Sequence, residues 1–108
     1  MVESDGEIQL LACPYLGRTV ELTAEREQHV AARHPELLPR MRARIAAAID
    51  DPDVVRRSAR RPTARLFSRR YEDGGRIRHV VVVVESGIAG GRHRIVTAYV
   101  TRRLTGGI

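Results

Sequence analysis

Five consecutive valines, Val80–Val84, constrain this chain more than any other feature. β-Branched side chains favour extended backbone. A run that is apolar at every position must be buried on both faces, so this strand belongs in the middle of a sheet with a cover on each side. Around it the hydrophobic period is two. Val54–Ala59, Ala64–Tyr71, Arg76–Glu85 and His93–Arg102 read as four strands. Turn signals at Arg61-Pro62, Asp73-Gly74-Gly75 and Gly87–Gly91 separate them, and connections this short favour antiparallel neighbours. The GIAGG stretch (87–91) joins strand to strand, which makes it a hairpin and not a phosphate cradle.

Before Asp53 the pattern differs. Glu7–Cys13 and Thr19–Leu22 read as short strands around a Pro14–Gly17 turn. Thr23 is placed to cap a helix over Ala24–His34, with Glu25 and Glu27 in its first turn and Pro35 behind it. A second helix, roughly Leu37–Ile49, carries Leu38, Met41, Ile45 and Ala48 at three- and four-residue spacing. The expectation is one α+β domain over residues 1–108. It has an N-terminal hairpin in 1–22, helices in 23–50, and a four-stranded antiparallel sheet in 54–103 on which the two helices pack. Two helices cover one face of such a sheet. The other cover is the N-terminal hairpin or a second copy of the chain, in a homodimer.

The 108 residues carry a formal charge of +6, and every basic residue is arginine. Codon usage alone can produce that bias, but the guanidinium fork suits phosphates and stacks on bases. The distribution says more than the sum. Residues 1–53 hold 6 Arg against 10 Asp and Glu; residues 54–108 hold 13 Arg against 3. A half-domain of net +10 attracts polyanions. A solvated arginine surface is the plain alternative. One cysteine, Cys13, excludes an intrachain disulfide, and the chain shows neither a leader-like amino terminus nor an apolar run of membrane length. A cytoplasmic, reducing setting with no membrane association is expected.

Candidate chemistry falls on two elements. On the first helix, His29 and Arg33 stack one turn apart with Arg26 beside them, facing away from Ala24, Val30, Ala31 and His34. His34, on the apolar side, reads as a buried structural histidine. In the strands, alternation places Arg65, Phe67, Arg69 and Tyr71 on one face of theirs. In the last strand Val96, Ala98 and Val100 share the core face, and Ile95, Thr97, Tyr99 and Thr101 the other. Arginines interleaved with an aromatic, and a row of hydroxyls, suit an RNA-contacting sheet, although threonine and tyrosine also simply favour strands. His29 and His34 are five apart and do not form a zinc-binding helix pair; Asp50, Asp51 and Asp53 lack the remainder of a calcium loop. No metal or cofactor is expected, nor any nucleophile-and-base pair.

The segments REQHVAARHPEL (26–37), DDPDVVRRS (50–58), RLFSRRY (65–71), HVVVVVES (79–86) and IVTAYVT (95–101) together resemble the phage barnase–EndoU–colicin–RelE-like nuclease family. The likeness spans most of residues 22–103. It implies helices on a four-stranded antiparallel sheet and metal-independent ribonuclease activity. Position by position, it implies catalytic roles for His29, Arg33, His34 and Tyr99. Arg26, Arg69, Arg70, Tyr71, Thr97 and Thr101 would bind substrate, with Arg78 (or Arg76) standing where the family often has a lysine. The family's basic, aromatic-ending tail is reduced here to RRLTGGI (102–108).

On this reading His29 is general base or acid in attack by the RNA 2′-hydroxyl, Arg33 with Arg69 or Arg70 clamps the phosphate, and Tyr99 positions it. The competing reading is a non-catalytic RNA- or DNA-binding accessory protein, or an interaction module for an acidic antitoxin or immunity protein.

Overall fold

The computed structural model describes residues 8–88 and 90–104. The fold is α+β: strands β1 (Ile8–Cys13) and β2 (Arg18–Thr23), helices α1 (Ala24–Arg33) and α2 (Met41–Asp50), then β3 (Val54–Arg57), β4 (Ala64–Asp73), β5 (Arg76–Ile88) and β6 (Arg92–Thr101). The sheet has six strands, not four, in the order β1-β2-β6-β5-β4-β3. It is also mixed. β3 to β6 pair antiparallel, as does the β1–β2 hairpin, but β2 joins β6 in parallel at Glu21 and Arg94. The N-terminal hairpin therefore extends the sheet at its edge instead of covering its second face. Glu7 of the expected first strand, and the amino- and carboxyl-terminal segments 1–7 and 105–108, lie outside the described residues.

Local chemistry explains the helix ends. The Thr23 hydroxyl accepts from the Arg26 backbone N–H at 3.1 Å, satisfying one free donor of α1. The second helix begins at Met41, four residues later than its periodicity predicts. Pro39 holds Leu38 in extended backbone (φ −74°, ψ 152°), so the apolar rhythm that starts at Leu38 cannot become helical there. Leu38 is consequently 49% exposed, while Met41, Ile45 and Ala48 are buried as their spacing requires.

The core lies between the helices and one sheet face. Phe67, Val80, Val82, Val84, Ile95 and Ala98 meet Val30 of α1, and Met41, Ile45, Ala48 and Ile49 of α2. The Tyr15 ring, from the β1–β2 turn, closes edge-on over Phe67 with centroids 5.7 Å apart. Cys13 is buried in the same cluster. At the β4–β5 turn both Gly74 (φ 59°) and Gly75 (φ 82°) hold positive φ, which a two-residue hairpin of this hand requires.

One departure from strict alternation shapes the open face of the sheet. β5 and β6 slip register between Val83 and Val84: Val83 faces Thr97, but Val84 faces Ile95, leaving Val96 as an unpaired bulge. Ile95 is thereby fully buried in the core, contrary to its predicted side, and Val96 is turned out of it. The rest of the row, Thr97, Tyr99 and Thr101, keeps the face expected of it, opposite Ala98.

Candidate functional site

The face of the sheet without helices is floored by rows that follow from register. Arg56, Leu66, Val83 and Thr97 lie side by side on β3 to β6; the next row is Val54, Ser68, Val81 and Tyr99; the next is Arg70, His79 and Thr101. Leu66, Ser68 and Val81 are buried although no helix lies over them, and Val83 is half-buried. Against these rows, and beneath the β3–β4 connection, lies a pocket of about 650 Å³. Its walls include Arg60 and Arg61 from that connection, and Val96, Thr97 and Tyr99 from β6. The bulge is what brings Val96 into it.

Helix α1 runs along β6, and the face it turns there is set by its period. Arg26, Val30 and His34 are spaced by four and form one stripe. Val30 is buried, Arg26 Nη1 donates to the bulge carbonyl of Val96 at 3.3 Å, and the His34 ring lies 6.0 Å from the Tyr99 ring. His34 is thus not a buried structural histidine. Its side chain is 31% exposed, with Nδ1 3.3 Å from a Glu36 carboxylate oxygen. His29 and Arg33 sit a residue behind this stripe. Among the described residues no hydrogen bond, ion pair or ring contact joins either to β6, and Arg33 is exposed on the last turn of the helix. Arg26, grouped with them by sequence, belongs instead to the stripe that faces Tyr99, and it also pairs with Glu25 at 2.7 Å.

The aromatic–arginine strand divides between the two sheet faces. Arg69 and Tyr71 face the helices. Arg69 Nη1 holds the Asp51 carboxylate at 2.9 Å, and the Arg44 guanidinium lies 3.6 Å above the Tyr71 ring, where cation and ring quadrupole attract. They line, with Arg40 and Arg44, a separate pocket of about 200 Å³. Arg70 and Thr101 flank His79 on the open face, and the Thr101 hydroxyl donates to the Arg103 carbonyl at 2.9 Å. Arg78 pairs with Tyr71 in register and bonds the neighbouring Ile77 carbonyl. His79 is the residue sequence reasoning passed over. Alternation puts it on the side of Val81; what the sequence did not carry was that this side meets Tyr99 and Thr101 across the ladder.

A second pair also went unforeseen. Ser86 Oγ and His93 Nδ1 are 2.8 Å apart near the end of the β5–β6 hairpin, away from the pocket just described.

Burial raises the Tyr99 phenol above its ordinary value of 10.0, with the Arg56 guanidinium acting in the opposite direction. A raised folded-state value means the stability it contributes is complete below about pH 10 and is lost as pH rises through the folded value. Denaturation midpoints followed from about pH 9 to 11 should therefore fall, and less steeply in Tyr99→Phe than in the wild type. Equal slopes would show that Tyr99 is solvated. Among the described residues no group of three His, Cys, Asp or Glu side chains is placed to hold a metal ion, and no helix is long and apolar enough to cross a membrane.

Compared with known protein families, curated proteins and solved structures, the chain finds no match.

Proposed function

We propose that this chain is a metal-independent endoribonuclease that cleaves through the RNA 2′-hydroxyl, with the pocket on the open sheet face as its site. The observation that carries the reading is the approach of the His34 imidazole to Tyr99 beside a pocket walled by arginines. Cleavage of this type needs a base for the 2′-hydroxyl, donors for charge gathering on phosphorus, and an acid for the departing 5′-oxygen. His34 takes the 2′-proton. The Tyr99 phenol, kept protonated by burial, donates a hydrogen bond to the phosphate, with Thr97 beside it and Arg60 supplying positive charge. His79 returns a proton to the 5′-oxygen. It lies diagonally across the β5–β6 ladder from Tyr99, a separation of roughly 7–8 Å in such ladders. Compared with the sequence-based assignment, the base moves from His29 to His34, and the phosphate donors move off Arg33 and Arg69.

The test is incubation of end-labelled RNA with the purified chain in EDTA. Fragments ending in 2′,3′-cyclic phosphate are expected, from RNA but not from DNA of the same sequence. Intact RNA, retained at low salt and released steeply as salt rises, would instead make the protein a non-catalytic binder and end the nuclease reading. The lone interaction drawn on by both readings is electrostatic, so retention by itself decides nothing; the chemical form of the ends does.

A further inference from the structure

The Ser86–His93 pair does not belong to the open-face pocket. By alternation Ser86 shares the side of β5 that carries Val82 and Val84, the side facing the helices. At that end of the sheet it lines a cavity of about 270 Å³ together with Arg57, Thr63 and Arg65. Arg57 and Arg65 are directly opposite each other on β3 and β4. Like charges in that relation repel, and a sheet gains nothing from them unless something neutralises both. Among the described residues nothing does so. Arg57 reaches only the Pro62 carbonyl, at 3.5 Å, and Arg65 has no hydrogen bond or ion pair among the described residues. Glu85, which follows them in register on β5, is taken up by Arg61 and by the Thr63 hydroxyl at the cavity's rim. A third guanidinium, Arg18 of β2, is fixed to the Gly91 carbonyl at 3.0 Å on the β5–β6 connection. Burial first, then Arg18 and Arg65, hold the His93 imidazole below its ordinary value, which favours the neutral ring beside the Ser86 hydroxyl.

We propose that Arg57, Arg65 and Ser86 form a binding site for a phosphate monoester dianion, with His93 orienting the Ser86 hydroxyl toward it. Two planar forks and one hydroxyl supply the donors that a tetrahedral dianion accepts, in the charge-assisted form that is strongest. When Nδ1–H donates to Ser86 Oγ, the hydroxyl hydrogen is free to donate to a phosphate oxygen. The cavity is larger than inorganic phosphate, leaving room for an attached sugar. The ligand chemistry is the same whether the phosphate is free or ends a polynucleotide chain.

The experiment follows the histidine ring resonances by NMR while the full chain is titrated with inorganic phosphate at constant ionic strength. The His93 signals should move saturably, and the pH at which His93 titrates should rise, because a bound dianion opposes the cations that depress it. The groups facing it are Arg18, Arg65 and the Ser86 hydroxyl, with Arg57 across the cavity. Arg65→Gln should weaken binding about tenfold or more, Arg57→Gln similarly, and His29→Ala not at all. The second arm compares a 5′-phosphorylated oligodeoxynucleotide, which has no 2′-hydroxyl to cleave, with its 5′-hydroxyl twin. Tighter binding of the phosphorylated strand than of its twin assigns the site to a polynucleotide end; equal binding of the two strands assigns it to free phosphate. Both uphold the site. His93 signals that respond only to ionic strength, or folded Arg65→Gln and Arg57→Gln proteins that bind as the wild type does, would overturn it. None of these readouts requires RNA cleavage, so the site stands or falls independently of the nuclease reading.

Discussion

Replacing Phe67 by alanine should destabilise this fold by about 3–5 kcal/mol in urea denaturation, the range for deleting a buried aromatic ring. Phe67 is fully buried, lies between Val55 and Val82 on the neighbouring strands, and takes the edge of Tyr15 from the far hairpin. One residue thus joins β3, β4, β5 and the β1–β2 turn. Against a total stability of about 5–15 kcal/mol, the loss approaches unfolding. Phe67→Leu keeps most of the volume and should lose clearly less. A loss below about 1 kcal/mol for the alanine variant would mean that the hairpin does not seat on this ring.

If the open-face pocket cleaves RNA, His34→Ala should reduce the rate by about 10²–10⁴-fold, as expected when a proton-transfer group is removed. Tyr99→Phe keeps the ring against His34 and removes only the hydroxyl; it should lower the rate at saturating RNA while leaving RNA affinity close to that of the wild type. His29→Ala should cleave within a few-fold of wild type. The opposite order, with His29→Ala inactive and His34→Ala unaffected, would move the chemistry to the solvent side of α1. Glu36 lies 3.3 Å from the His34 ring, and a carboxylate so placed orients an imidazole for general-base work.

Which parts of this were legible in the sequence follows from the range of each interaction. The α+β class, the two helices and all four C-terminal strands are local matters of period and turn chemistry, and Thr23, Pro35 and Gly74-Gly75 act where they stand. The two added strands of the sheet were visible as strands, but their parallel docking rests on Glu21 meeting Arg94, 73 residues away, which no local pattern encodes. The side chains at Ile95 and Val96 were assigned to the wrong faces because one unpaired residue inverts the alternation, and valine at a bulge resembles valine in a ladder. The setting of His34 and the grouping of Arg26 differ from expectation for a related reason. Helical geometry groups Arg26 equally well with His29 and Arg33 or with Val30 and His34, and only the position of β6 selects the second stripe.

The parallel seam between β2 and β6 also orders events in time. As the chain emerges from the ribosome, amino end first, the β2 edge of the β1–β2 hairpin has no strand to pair with until β6 has been made. Glu21, buried in the finished protein between Arg92 and Arg94, has neither partner until those two residues are made. A nascent polypeptide arrested before residue 92 should therefore leave the β2 edge more open to proteases than the finished chain does, and addition of β6 should protect it in a single late step.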